Sequence, residues 1–165
     1  MHAPLQLLQT SADQAELIRN LYQFYAYESS DWEAEDVEVD GRFYIHEEHL
    51  VRYWQSPGWS ASVILVDGFI AGFVLIERSE LPGLAATELA DLFILKRYRR
   101  QGIGKAIAQQ LLCSGAGDWL LRCYSQDPPA VAFCRAVLAD LPRAWRAIAL
   151  DDEPTLLNFL VSPVH

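Results

Sequence analysis

The chain has 165 residues, 52% of them hydrophobic, 12% aromatic and 21% charged, with a formal net charge of −9 at pH 7. That composition supplies a sizeable core and excludes a disordered or low-complexity chain, and the length fits one domain over residues 1–165. The acidic balance has the wrong sign for a general nucleic-acid binder or for adhesion to an anionic membrane.

Residues 4–9 read as a short strand. Ser11 and Gln14 have the spacing of a capping box, and Ala15, Ile18, Leu21, Tyr22 and Tyr25 follow at helical intervals, which predicts a helix over 12–27. The acidic stretch 29–41 reads as a loop, and a second helix is expected over 43–54, ahead of Pro57-Gly58. Strands are expected over 59–66 and 69–78, joined by the tight-turn pair Asp67-Gly68. Residues 87–95 are apolar at both parities, as in a central strand buried on both faces. A helix over 102–112 stops at Gly115 and Gly117, and a strand covers 119–124. Asp127-Pro128-Pro129 resembles a helix cap with proline in the first turn. Ala130, Phe133, Cys134, Val137, Leu138 and Leu141 then form an apolar stripe that Pro142 ends. Strands over 145–150 and 156–162 close the chain. The order β-α-α-β-β-β-α-β-α-β-β predicts an α/β (α+β) domain with a mixed sheet.

The longest apolar run, Phe69 to Ile76, is too short to span a bilayer, and Met1-His2-Ala3-Pro4 lacks the basic start of a secretory leader. Cys113, Cys123 and Cys134 are odd in number and lack CxxC spacing, which argues against a disulfide framework or zinc site and fits a cytoplasmic location. His46 and His49 are three apart, not the four of a zincin helix, so no metal is expected and the pair reads as a polar helix face.

Charge is segregated. Residues 28–48 hold nine acids and one base, Arg42, whereas residues 96–105 hold five bases and no acid. The basic segment contains Arg99-Arg100-Gln101-Gly102-Ile103-Gly104-Lys105, between a buried strand and an amphipathic helix. The first turn of a helix presents unpartnered N–H groups at the positive end of its dipole. Gly102 and Gly104 let an anion approach the backbone, and Arg99, Arg100 and Lys105 add charge, so the segment is suited to a pyrophosphate. A Walker A loop is excluded because Ala106 follows Lys105, and a dinucleotide fingerprint because Ile107 stands where a third glycine would.

Arg99-x-x-Gly102-x-Gly104 resembles the (Gln/Arg)-x-x-Gly-x-(Gly/Ala) signature of the Gcn5-related N-acetyltransferases, the GNAT superfamily. The stretch from Ala90 to Gly104 is similar to that family's strand 4, loop and helix 3, and the element order matches along almost the whole chain. The acidic insert with Asp36-Val-Glu-Val-Asp-Gly41 resembles a bacterial subgroup of predicted acetyltransferases. The resemblance implies a mixed, mostly antiparallel sheet flanked by helices, and acetyl-CoA as cosubstrate. It implies that Arg100, Gln101, Gly102, Ile103, Gly104 and Lys105 bind the pyrophosphate through their backbone, with Arg99 at the first motif position. It also places Phe93 and Ile94 on the strand that pairs with the pantetheine arm, where one N–H would polarise the thioester carbonyl. Asp127 stands where the family commonly has Asn beside CoA, and its charge would repel phosphate.

Transfer of acetyl to an amine requires removal of a proton from nitrogen and stabilisation of an oxyanion, and the leaving thiolate can take a proton. Glu88 and Asp91 are the acids on the strand leading into the cradle. Glu88, eleven residues before Arg99, matches the glutamate base of some family members, and Asp91 is a second candidate that would brace the loop. Cys134 stands where many members place an acidic tyrosine; a thiol could donate there or simply fill the core, and Tyr124 is a substitute. Tyr22, Tyr25, Tyr27, Trp32, Phe43 and Tyr44 lie beside the acidic run and would suit a cationic acceptor, such as a polyamine, basic amino acid, aminoglycoside-like compound or lysine side chain. The same run also reads as a solvated face. The expectation is therefore a cytoplasmic acetyl-CoA-dependent N-acetyltransferase acting by direct attack in a ternary complex. Its partners would be small-molecule or peptidyl amines, with no nucleic acid or membrane, and a homodimer is allowed. The competing expectation is a non-catalytic acyl-CoA sensor or interaction module of the same fold.

Overall fold

The computed structural model describes residues 4–149 and 155–163. Its strands, among the described residues, form one seven-stranded sheet in the order β1-β2-β3-β4-β5-β7-β6. They are β1 (Leu5–Gln9), β2 (Ser60–Val66), β3 (Phe69–Arg78), β4 (Ala86–Ile94), β5 (Asp118–Tyr124), β6 (Trp145–Ile148) and β7 (Leu156–Val161). Among the described residues only β4 and β5 pair in parallel, and every other pairing is antiparallel. The helices are α1 (Ala15–Glu33), α2 (Glu47–Leu50), α3 (Arg52–Gln55), α4 (Ile103–Leu112) and α5 (Pro128–Ala139). This is the mixed α/β architecture expected from the sequence. The last residue of the strand predicted over 145–150, Leu150, and the leader reading of Met1-His2-Ala3 fall outside the described residues. No helix among the described residues is long and apolar enough to cross a membrane.

Each sheet face has its own core. On one, Ile103, Ile107 and Leu112 of α4 and Cys134, Val137 and Leu138 of α5 bury Leu89, Leu121 and Val161. On the other, Ile18 and Leu21 of α1 and Leu50 and Tyr53 of α2 and α3 bury Phe73, Leu75 and Phe93. The β2–β3 hairpin turns at Asp67 and Gly68, both with positive φ, as the pair predicts.

Both N-terminal helix expectations are corrected. The first helix does not stop at residue 27 but runs to Glu33: Ser29 is buried, Trp32 packs on Tyr124, and Ser29 and Ser30 turn their hydroxyls onto the Tyr25 and Tyr27 carbonyls (3.2 and 2.6 Å) instead of competing for turn contacts. Ala34, in the left-handed region, then ends it. The second helix is two short turns, α2 and α3. Residues 43–46 stay extended because the Gln23 amide clamps Phe43, accepting from its N–H at 2.8 Å and donating to its carbonyl at 2.9 Å.

Two irregularities in β4 position the site. Its pairing with β3 shifts between Leu75↔Asp91 and Ile76↔Leu89, so Ala90 is an extra residue, a β-bulge. Its pairing with β5 ends at Leu89↔Leu121, although β4 continues to Ile94 and β5 to Tyr124. The two strands therefore diverge beyond Leu89. Against the expectation of burial on both faces, most of β4 is only half-buried, with Ala86, Leu89 and Phe93 alone fully covered.

Gly72 on β3 sits where a Cβ would come within 2.0 Å of the Phe93 carbonyl oxygen. Both atoms belong to backbone, so neither can rotate away. Gly72→Ala is expected to lower stability by about 2–3 kcal/mol or more, read as a drop in Tm with the β3–β4 pairing pried apart.

Candidate functional site

The divergence of β4 and β5 leaves polar backbone atoms of β4 without a neighbouring strand. The Leu95 N–H bonds the Ala71 carbonyl on β3 at 2.8 Å. By alternation, the polar groups of Phe93 also face β3, while those of Ile94 and Leu92 face the gap. Arg99 Nε donates to the Ile94 carbonyl at 2.7 Å, in keeping with that direction. Of the two N–H candidates named from sequence, the Ile94 N–H therefore faces the gap. Phe93 instead presents its ring to the α1 side, 6.1 Å from Tyr25.

Beyond β4, a 3-10 turn (Lys96–Tyr98) leads into the glycine loop. Arg100 and Gly102 both have positive φ (62° and 77°), and Gly102 caps α4, its carbonyl accepting from the Ala106 N–H at 3.0 Å. Nothing lies within 4 Å of where a Gly102 Cβ would be. The loop is open to solvent there, with the first-turn N–H groups of α4 directed outward. Gly104, by contrast, packs its α-carbon against Phe133 and Ile94; a Cβ would lie 3.3 Å from the Phe133 ring.

The loop's cations divide by role. Arg99 turns back rather than outward: besides Ile94 it bonds Glu28 of α1 at 2.8 Å and stacks 5.1 Å from the Phe93 ring centre. Its charge is committed to tying α1 to the end of β4. Lys105 reaches Asp140 at 3.1 Å. Arg100 is exposed and makes no ion pair among the described residues, and Gln101 is exposed beside it. Asp127 spends its carboxylate on the Ala130 N–H at 3.3 Å, as an N-cap.

On the opposite side of β4, the bulge keeps Glu88, Asp91 and Phe93 on the face that α1 covers. A cavity of about 540 Å³ opens there. Its floor is half-buried or buried: Tyr22, Tyr53, Leu75, Glu77 and Asp91. Its mouth is exposed: Glu33, Glu35 and Asp36 from the end of α1 and the following loop, with Tyr44, His46 and His49. Burial, with Glu77, Glu88 and Glu33 nearby, pushes the Asp91 carboxyl up to about 8, against an opposing hydrogen bond from Tyr25. Glu77 accepts from the Tyr53 hydroxyl and lies 3.3 Å from His49 Nε2. Burial, with Asp91 close by, also raises the hydroxyls of Tyr22, Tyr25 and Tyr53, which stay neutral donors.

Glu88 is not part of the cavity lining. It pairs across the strands with Glu77 and lies 3.6 Å from Arg122, and burial raises its carboxyl more than that cation lowers it. Cys134 is buried beside Cys123, within hydrogen-bonding reach, and burial pushes its thiol up, the setting of a core residue. Tyr124 stands at the end of β5 with its ring 5.4 Å from Trp32. Of the six aromatics named from sequence, Tyr22 and Tyr44 line the cavity. Tyr25 packs on Phe93, Trp32 on Tyr124, Tyr27 is exposed and Phe43 is held by Gln23. The acidic run divides likewise. Glu28 pairs with Arg99 and Glu47 with Arg19, whereas Glu33, Glu35 and Asp36 face the cavity.

His46 and His49 are exposed, at the cap and in the single turn of α2, and both stand at the mouth of the cavity. Among the described residues no cluster of His, Cys, Asp or Glu has the arrangement of a metal site. Glu77 was not singled out from sequence. The available signal was an acid directly following the apolar run 69–76, where it continues the strand into the cavity floor.

A model of the acetyltransferase (GNAT) family matches residues 16–138. The chain belongs to that family. No curated protein sequence matches it significantly. Among solved structures, an acetyltransferase from Thermus thermophilus is 20% identical with a TM-score of 0.66, covering 97% of this chain and 98% of its own. The PaiA N-acetyltransferase from Thermoplasma acidophilum, in complex with coenzyme A, is 13% identical (TM-score 0.60; 95% and 98% covered). A diaminobutyrate acetyltransferase from Paenibacillus lautus, solved with L-2,4-diaminobutyric acid and coenzyme A, is 16% identical (TM-score 0.58; 98% and 96% covered).

Proposed function

We propose that this GNAT-family protein transfers acetyl from acetyl-CoA to a primary amine by direct attack in a ternary complex, with Asp91 as the base. The observation that carries this reading is the opening between β4 and β5. It has an outward-facing N–H donor at Ile94, a glycine-capped helix start on one side and an ionisable cavity on the other. The residues present fit the cosubstrate. The open space at Gly102, the free first turn of α4 and the exposed Arg100 suit a pyrophosphate. The unpaired edge of β4 suits an amide-rich arm laid alongside it.

Acetyl-CoA supplies the activated acyl group; the chain supplies the proton acceptor and the donors. An incoming ammonium favours the ionised form of Asp91, which then takes the proton and frees the nitrogen lone pair. That nitrogen forms the C–N bond at the thioester carbon. The Ile94 N–H is the donor for the developing oxyanion; as the C–S bond breaks, the second proton lost by nitrogen passes to the departing sulfur, which leaves as free thiol. Glu88, the other candidate base, is engaged by Arg122 and stands outside the cavity lining, which favours Asp91. Tyr124 carries its hydroxyl at the end of β5, the other arm of the opening, and is better placed as an acid than the buried Cys134.

The test is release of free thiol from acetyl-CoA across an amine panel, with mass spectrometry of the acetylated product. Amine-dependent release supports the reading. Tight acetyl-CoA binding with no amine raising release above background would assign the chain instead to an acyl-CoA sensor.

A further inference from the structure

We infer that the acceptor is an aliphatic di- or polyamine, held at two stations. One ammonium sits at the mouth among Glu33, Glu35 and Asp36, and the amine to be acetylated sits at the floor by Asp91 and Glu77. This inference rests on the acetyltransferase reading above.

The cavity, rather than the acids alone, carries the argument. Its five carboxylates fall into an exposed set and a half-buried set. Among the described residues no Lys or Arg lines it. Four arginines are paired with carboxylates outside the lining: Arg99 with Glu28, Arg19 with Glu16 and Glu47, Arg52 with Glu80, Arg122 with Glu88. The lining also offers ring and aliphatic surface at Tyr22, Tyr53 and Leu75, which suits a methylene chain, and the two tyrosine rings attract a cation to their π faces. Tyr22 feels both sets, with Asp91 and Glu77 from the floor and Glu33 and Glu35 from the mouth all acting on its hydroxyl. It is thus the wall the two stations share. The volume lies within the roughly 300–1,000 Å³ of small-molecule pockets. An acceptor carrying its own carboxylate, such as a free amino acid, would meet repulsion at either station. A monoamine would leave one set uncompensated. The step balances: C–N forms and C–S breaks, and of the two protons that nitrogen loses one goes to Asp91 and the other to the departing sulfur, which leaves as free thiol.

The experiment compares kcat/KM for spermidine, 1,4-diaminobutane, butylamine, L-lysine and a lysine-containing peptide, alongside calorimetry of spermidine with the protein alone. Spermidine and 1,4-diaminobutane are expected to exceed butylamine and L-lysine by at least about tenfold. High salt is expected to narrow that gap. The Glu35→Gln/Asp36→Asn double variant is expected to raise KM for spermidine about tenfold with a much smaller change in kcat. Equal turnover of butylamine, or preference for the lysine peptide or L-lysine, keeps the acetyltransferase reading and overturns the two-station acceptor. Spermidine binding without turnover of any amine keeps the cation site and overturns the transferase reading. Neither binding nor turnover overturns both.

Discussion

Asp91→Asn is expected to lower kcat by about 10²–10⁴-fold, the usual worth of a positioned base, with acetyl-CoA affinity unchanged. Asparagine keeps the volume and the hydrogen-bonding capacity of the floor but accepts no proton. Glu88→Gln, by contrast, should change kcat little, because Glu88 sits outside the cavity lining against Arg122. A larger loss in Glu88→Gln than in Asp91→Asn would exchange their roles. The pH profile gives a second check. Asp91 titrates at about 8 and acts only when ionised, so kcat/KM should rise as pH passes through about 8, and the asparagine variant should lose that limb. Stability moves the other way. The folded chain holds this proton to a higher pH than the unfolded chain, whose aspartate releases it near about 3.9. Stability from Asp91 is therefore complete below about pH 4 and declines as pH rises toward about 8, after which it levels off. Asp91→Asn should flatten the dependence of Tm on pH across that window.

Gly102→Asp is expected to weaken acetyl-CoA binding by more than about 100-fold, read by calorimetry, while the protein stays folded. The space around the Gly102 α-carbon is open, so a side chain meets no protein atom. The cost to the fold is the φ of 77°, about 1 kcal/mol for a residue such as aspartate. The cost to binding is larger. The carboxylate would lie at the positive end of the α4 dipole, in the position expected for a pyrophosphate, and would satisfy the same N–H groups itself. Unchanged affinity in a folded Gly102→Asp variant would move the cosubstrate away from this loop.

Much of the fold was legible because local rules and tertiary packing agree. The Ser11–Gln14 box, the Asp67-Gly68 turn, the Asp127 cap and the α5 stripe all form as their spacing predicts. The glycine loop was legible for the same reason: strand, cationic bend, glycines and helix are contiguous in the chain. The acceptor side was not, since it is assembled from α1, the loop after it, β3 and β4. The bulge at Ala90 hides Asp91 in particular. Simple alternation from Glu88 puts residue 91 on the α4 face, and the extra residue returns it to the α1 face. Apolar residues at both parities of β4 record that change of phase as much as burial. The end of α1 was misread because serine and acid composition suggests a loop, whereas the serine hydroxyls bond back to the helix.

Arg99 joins three things that the proposed function assigns to different ligands: the Ile94 carbonyl at the edge that would receive the acyl donor, the first position of the cationic bend, and Glu28 on the helix beside the cavity proposed for the amine. Such a tie makes the two binding events one thermodynamic system. Whatever factor the first ligand imposes on the affinity of the second must be returned in full by the second on the first. A coupling factor carried by this guanidinium would be the same whichever ligand arrives first.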